Sequence, residues 1–485
     1  MTEQDHWKRE MEPRIVDEVD YIIAAFREKG TGIGVVPEGH GLGYMYAEGQ
    51  LLVLERYLEG VLASLRRQGV RITPGEPQAE LPPGESPSES PQDEQARDEP
   101  ADDEPPRKPT PPEFPPYQFP HILPGLILLH FSGKSVPEVL KVIDRDLGEG
   151  CATPNHVLTV CNGASADEST SPCAATDPQE VYEGTEPNPG ICHCNSGAGV
   201  RVYIADTGLL LDARSHHSWL AGVRYEKDPL SPEFTGGLLK PYAGHGTFVA
   251  GVMRCIAPAA DIYVGNVFQT GGSALEADFV TDLQKALHRG TDIFHLSCAS
   301  TTRKNLQLLS FWTWLKQLRQ YKGIVCVAPA GNSGSRRPHW PGASPEVTSV
   351  GALAADWRSR AGFSNYGGWV DAYAPGRNLI NAYASGKFVC DMVPYLGQVR
   401  HFYGMAQWSG TSFSSPIVTG LIADRMWRTG ENGIEAAAAV LRAARSHAIP
   451  GVGAIALPCG EDRGCHCAED RSCHCGDAPH RPHRS

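Results

Sequence analysis

Residues 408–420 read WSGTSFSSPIVTG, and four serines, Ser409, Ser412, Ser414 and Ser415, fall within seven of those positions. Gly410 permits close approach of another backbone, and PIVTGLIADRMW continues with apolar periodicity, so a helix is expected to begin near Ser412. Pro416 then falls in the first turn, where its missing N–H has no intrahelical partner to lose. A serine at a helix N-terminus points its hydroxyl outward and keeps its own N–H free to hold a developing oxyanion. Ser412 is therefore the candidate nucleophile, and capping or packing falls to Ser409, Ser414 and Ser415.

Upstream, from Val200 onward, the apolar runs VRVYIA, DIYVGNVF, DIFHLS, GIVCVA and EVTSVGA alternate with helical patterns. One helix is expected over residues 274–289, where Leu275, Phe279, Leu283 and Leu287 recur at every fourth position. This alternation predicts an α/β fold, a parallel sheet with helices on both faces. In such sheets chemistry collects at the carboxyl ends of the strands. VRVYIA runs into Asp206-Thr207-Gly208, where Asp206 can orient a histidine, although the tripeptide also reads as an ordinary turn. In GHGTFVAGV (244–252), Gly244 and Gly246 frame His245 at the start of an apolar helix, whose dipole favours a neutral imidazole fit to act as a base. A capping or core histidine reads the same way, and His216 and His217 in RSHHSWL compete for the role without the glycine frame. In VCVAPAGNSG (325–334), the Asn332 amide can donate to an oxyanion or can close a turn.

Four segments thus occur in the order Asp, His, Asn, Ser, each at a strand end or helix start. The blocks VYIADTG, GHGTFVAGV, IAPAADIYVGNV, APAGNSG and GTSFSSP resemble those of the subtilisin-like serine peptidases, over residues 199–448. The Asp, His, Ser order is that of the subtilisins. The resemblance implies that Asp206 supports His245, that His245 takes the proton from Ser412, and that Asn332 with the Ser412 N–H holds the tetrahedral oxyanion. Loss of such an amide costs about 100–1000-fold in turnover, the magnitude known for subtilisin. The implied activity is a serine endopeptidase working on polypeptides through an acyl-enzyme, with no cofactor. The competing reading is a latent or regulatory binding protein on a protease fold, with a metal-binding Cys/His tail.

The resemblance also sets Ser297, Cys298, Ala299 and Gly331 along the substrate. DIFHLSCAS (292–300) departs from the family's usual Asn-x-Ser-x-Gly at this place. His295 stands for the Asn, and Ala299 stands for a glycine that keeps the cleft wall open, so a narrower side-chain pocket is expected. Cys298 is expected near the cleft or as a buried bystander.

Residues 1–70 read as a helical region, with Leu51, Leu54, Leu58 and Leu62 as a packing stripe and a protein partner as a further expectation. Residues 71–120 hold 15 of the 39 prolines and twelve Asp and Glu against four Lys and Arg. They supply −8 of the net −13, so the acidity belongs to a disordered linker and nothing points to nucleic acid. Residues 121–160 read as a small strand, helix, strand unit where the family carries a pro-region, and residues 161–198 as a flexible linker in which cleavage is expected. Residues 449–485 form a Cys/His-rich tail. The charged N-terminus lacks a secretory h-region and no run spans a bilayer, so a cytoplasmic location is expected. Fourteen cysteines there need burial or metal as an explanation. The Cys-His-Cys tripeptides at 192–194, 465–467 and 473–475 pair Cys192 with Cys194, Cys465 with Cys467 and Cys473 with Cys475. Zinc is one reading, and disulfides or a disordered tail are the others.

Overall fold

The computed structural model describes residues 7–9, 11–73, 119–160, 178–182, 184–192, 195–231, 237–390 and 395–458. Most of the 71–120 linker, His193, Cys194 and the tail from residue 459 lie outside them. The N-terminal part comprises α1 (Pro13–Glu28), β1 (Ile33–Glu38), β2 (Gly41–Leu54), α2 (Leu58–Arg67), β3 (Arg71–Thr73), β4 (His121–Leu123), β5 (Leu126–Ser132), α3 (Val136–Leu147) and β6 (Ala152–Thr159). The C-terminal part opens with β7 (Arg201–Asp206), α4 (Ala213–His216), β8 (Arg224–Tyr225), β9 (Leu238–Leu239), α5 (His245–Ile256), β10 (Asp261–Asn266), β11 (Ser273–Leu275), α6 (Glu276–His288) and β12 (Ile293–Leu296). It closes with α7 (Leu309–Leu318), β13 (Val325–Pro329), β14 (Val347–Leu353), β15 (Ala372–Pro375), β16 (Leu379–Val389), β17 (Val399–Trp408), α8 (Thr411–Thr429) and α9 (Gly433–Ser446).

A parallel sheet in the order β15-β14-β13-β12-β7-β10-β8 centres the C-terminal part. Strands buried on both faces need apolar residues at every position, which is why these segments read as continuous runs. β12 shows the two layers directly. Phe294 meets Trp314 of α7 edge-on at 5.0 Å between ring centroids, whereas the next residue, His295, bonds Thr419 of α8. Successive side chains of a strand point to opposite faces, so helices cover both.

The helical region expected over residues 1–70 is, where described, a mixture of α1 and α2 with β1 and β2. β1, β2 and β3 join β4, β5 and β6 in one sheet, and β11 of the C-terminal part pairs antiparallel with β6 at its edge. The leucine spacing misleads because Leu51 and Leu54 lie on β2 while Leu58 and Leu62 lie on α2. On β2, Tyr44 and Tyr46 pack with α2 and α3, while Met45 and Ala47 pack with Ile15, Val19 and Ile22 of α1. Both faces are covered, so the strand lacks the polar alternation that would have revealed it. Leu275, expected in a helix, ends β11, and α6 starts one residue later. α3 is specified locally: Ser135 and Glu138 form a capping box, and Val136, Val139, Leu140 and Ile143 make one buried face.

Every residue of β6 is buried. Its first half pairs with β2, and its second half enters the C-terminal part between two segments. On one side Val160 N donates to Gly272 O at 2.9 Å. On the other, Ala299 N donates to Thr159 O at 3.3 Å, and Thr159 N donates to Ser300 Oγ at 3.0 Å. Side chains lock this threading. Asn155 Oδ1 accepts from Ala277 N at the start of α6, and His156 Nδ1 lies 2.8 Å from Glu276 Oε2. No helix among the described residues is long and apolar enough to cross a membrane.

Leu140 is fully buried in the N-terminal core, whereas Leu396 is 65% exposed. Leu140→Ala is expected to cost about 2–5 kcal/mol in urea unfolding of the full chain, and Leu396→Ala less than about 0.5 kcal/mol.

Candidate functional site

Asp206 ends β7 and His245 opens α5, which brings two residues 39 positions apart to one edge of the sheet. His245 Nδ1 lies 2.8 Å from Asp206 Oδ1, with Asp206 fully buried and His245 1% exposed. Asp206 Oδ1 also accepts from Thr207 N at 2.7 Å. The two framing glycines have separate physical reasons. Gly244 sits in the left-handed region at φ 74° and caps α5. A Cβ on Gly246 would stand 2.2 Å from Gly208 O and 3.1 Å from Asp206 Oδ1, so only glycine lets helix and strand approach this closely.

The stretch 408–413 walls the imidazole. Trp408 meets the ring edge-on at 5.6 Å and Phe413 lies at 5.2 Å. Ser412, beside Phe413, occupies the first turn of α8, which starts at Thr411 with Gly410 as its cap. Pro416 is in the second turn rather than the first, so it removes the N–H that would have bonded the Ser412 carbonyl. Two of the other serines have local tasks: Asn378 N donates to Ser409 Oγ, and Ser414 Oγ donates to Thr411 O, while Ser415 Oγ is buried without a partner. Ser412 Oγ and His245 Nε2 are both buried without a hydrogen-bond partner, so the structure holds no Ser412–His245 hydrogen bond. Buried polar atoms are seldom left in this way, and two of them belong to one site.

Asn332 follows β13, and its Oδ1 accepts from both Thr411 N and Thr411 Oγ1 at 2.9 Å. Thr411 Oγ1 accepts in turn from Gly331 N at 3.1 Å. The amide is thereby fixed to the residue before Ser412. Gly331 sits at φ 98°, and Ala299 lines the threaded strand. Ser297 Oγ is buried without a partner, while its N donates to Ala205 O. Cys298 is fully buried and packs in the main core. His295 bonds Thr419 Oγ1 at 2.9 Å, and burial pulls its pKa down to about 4, so it is neutral and ties the sheet to α8. His216 is exposed beside Asp212, and His217 is buried against Trp219.

Asp228 carries no sequence signal, since Asp-Pro in a loop reads as a turn. In the fold it is fully buried and joins the segments on both sides of His245. Asp228 Oδ2 accepts from Gly244 N at 2.7 Å and from Thr207 Oγ1 at 3.3 Å, and Gly246 N donates to the same Thr207 hydroxyl at 3.2 Å. The N–H before His245 is thus held by Asp228 and the N–H after it by Thr207. Burial pushes the Asp228 carboxyl up to about 7, against the opposing pull of donors from Gly244 and Leu230.

Among the described residues no three His, Cys, Asp or Glu side chains gather as a metal site would require. Of the tripeptide cysteines only Cys192 is described; its N donates to Cys255 O, and Cys194, Cys465, Cys467, Cys473 and Cys475 lie outside the described residues. Burial accounts for five of the six described thiols, Cys192 being half-buried. Cys151, Cys255, Cys298, Cys326 and Cys390 are buried, and desolvation pushes Cys255 up to about 12.

A raised folded-state carboxyl pKa favours the protonated form, so the stability Asp228 supplies is full below its ordinary range near 4 and is lost as pH rises through about 7. Thermal scans from pH 5 to pH 8 are expected to show a falling Tm in the wild type and a smaller fall in Asp228→Asn. A parallel fall in both would remove this assignment.

The subtilase family model, Peptidase S8, matches residues 197–447. The thermophilic serine proteinase of Bacillus sp. (strain AK1) is 29% identical over 234 residues, 43% of this chain and 51% of that protein. Subtilisin DY of Bacillus licheniformis is 29% identical over 251 residues, 47% of this chain and 76% of that one. The chain therefore spans about half the length of the first of these relatives and three quarters of the second. A cold-adapted subtilisin-like serine proteinase of solved structure aligns with 54% of this chain and 90% of its own, at 20% identity and a TM-score of 0.39. With the match covering more than half of its 485 residues, and with its parallel sheet carrying the four motif segments at one edge, the chain belongs to the subtilase family.

Proposed function

We propose that the chain is a serine endopeptidase that cleaves polypeptides through an acyl-enzyme. The observation that carries this reading is the buried Asp206–His245 pair walled by Trp408 and Phe413, with Ser412 in the adjoining helical turn. In the proposed mechanism rotation of the Ser412 side chain brings Oγ to His245 Nε2, the two atoms now without partners. His245 accepts the hydroxyl proton as Oγ attacks the scissile carbonyl, and Asp206 stabilises the imidazolium that forms. The Ser412 N–H and the Asn332 amide hold the oxyanion. His245 then protonates the leaving amine, and water, deprotonated by the same imidazole, releases the acyl group from Ser412. Each step is nucleophilic attack, proton transfer or electrostatic stabilisation by groups of this chain and water, and none calls for a metal or cofactor.

The threaded segment 157–160 supports a polypeptide substrate, because an extended backbone already pairs with residues 272–275 on one side and 299–300 on the other. In this reading the N-terminal part is a pro-region whose β6 fills the cleft, and cleavage falls within residues 161–198. Residues 1–70, for which the sequence suggests a partner, meet the peptidase domain of the same chain through Glu38, Leu42 and Gly43. The latent reading draws on burial: Asp206, Asn332 and Ser412 are fully buried and His245 is nearly so.

A fluorophosphonate probe separates the two. Labelling is expected after limited proteolysis, and Ser412→Ala is expected to abolish it; no labelling at any pH would favour the binding protein. Intact mass of the same samples is expected to show a processed wild type beside a full-length Ser412→Ala, and identical masses would refute self-processing.

A further inference from the structure

Between the N-terminal part and the peptidase domain lies a cavity of about 330 Å³, bounded on one side by Val157 and Thr159 of the threaded strand. On the peptidase side its walls include Ser300, Thr301, Ser333, Ser335, Arg337 and His339. Ser333 adjoins Asn332 and Ser300 holds Thr159 N, so the cavity opens beside the path of an extended polypeptide and next to the candidate oxyanion donor. The N-terminal part and the threaded strand supply most of the apolar lining, whereas the peptidase side is polar apart from Ala299. Four hydroxyl residues and one guanidinium line that side, and burial pulls His339 down to about 4, leaving Arg337 as the cation among the lining residues.

Arg337 is aimed from behind and occupied in front. Its Nε donates to Asn305 Oδ1 at 2.7 Å and its Nη2 to Thr302 O at 3.3 Å, both in the peptidase domain. The remaining contacts are oxygens of the N-terminal part. Nη1 lies 2.7 Å from Glu38 Oε2 and donates to Leu42 O at 3.3 Å, and Nη2 donates to Gly43 O at 3.0 Å. A second carboxylate of that part, Glu18, lines the same cavity and takes the Tyr242 hydroxyl. When the N-terminal part leaves, the domain keeps a guanidinium fixed by Asn305 and Thr302 whose other edge has lost a carboxylate and two carbonyls.

We propose that this cavity is a substrate side-chain pocket and that Arg337 makes it select an aspartate or glutamate of the polypeptide on the side preceding the scissile bond. This deepens the peptidase reading and rests on it. A carboxylate replaces what Glu38 supplies, with charge-assisted hydrogen bonds to a planar fork built for that shape. An aliphatic side chain would leave the guanidinium and hydroxyls desolvated without partners, and a lysine would meet like charge. The carboxylate is expected to gain about 10–100-fold over its amide isostere, the range of one charge-assisted hydrogen bond.

The test is kcat/KM of the self-processed enzyme on peptide series that place Glu, Gln, Leu or Lys at each position before the cleaved bond. At one position Glu is expected to exceed Gln by about 10–100-fold, with the ratio falling as salt is added. Arg337→Gln is expected to erase that ratio by lowering kcat/KM on the Glu peptide toward that on the Gln peptide. Wild-type enzyme that cleaves Gln or Leu peptides as well as Glu peptides at every position overturns the pocket assignment and leaves the peptidase standing. So does an acidic preference that survives in Arg337→Gln. If that variant does not fold, the wild-type Glu-over-Gln ratio decides alone. Neither hydrolysis nor labelling in any sample overturns the peptidase reading, and the pocket with it.

Discussion

A carboxylate and an imidazole held 2.8 Å apart and sealed from water set the terms for the rest of this molecule. Taking such groups out of water is costly unless the geometry around them is fixed. The fold meets that demand with backbone: the end of β7 presents Asp206, the start of α5 presents His245, and two glycines allow the contact. Thr207 and Asp228 then pin the amides on either side of the imidazole. Trp408 and Phe413 close the ring's surroundings, so the segment bearing Ser412 is placed by the packing that excludes water from His245.

The second constraint is a strand shared between two parts of the chain. β6 belongs to the N-terminal sheet through β2 and to the peptidase domain through β11, and it is buried throughout. Polar contacts along it leave few unsatisfied groups: Asn155 caps α6, His156 lies against Glu276, and Glu276 receives the amide and hydroxyl of Ser310. Arg303 extends this seam by donating its N–H to His156 Nε2 and pairing with Asp144 of α3. In the proposed reading this strand is an inhibitor-like segment held by backbone pairing of the kind a substrate would use, and the cavity beside it is lined in part by carboxylates of the N-terminal part.

What the sequence made legible follows from how each element is buried. The central strands announced themselves as apolar runs because helices cover both faces, and the four motif segments stood out because glycine and proline mark the strand ends and helix starts around them. β2 stayed hidden for a related reason. With Tyr44 and Tyr46 on one covered face and Met45 and Ala47 on the other, it has no polar side to alternate with, and its leucines continue into α2 at helical spacing. Asp228 was illegible because its role comes from tertiary burial, 22 residues beyond Asp206 in a loop with no local pattern. His295 looked like a change in the cleft, whereas the parity of β12 turns it toward Thr419 of α8. The orientation of Arg337 likewise depends on Asn305 and Thr302, which no spacing rule connects to it.

The most direct test of the central claim is to trap the acyl group. Processed protein mixed with a slowly hydrolysed peptide ester, quenched in acid and mapped by mass spectrometry, should carry the acyl mass on Ser412. An acyl mass on Ser409, Ser414 or Ser415, or ester turnover with no covalent intermediate at any of the four, would contradict the account.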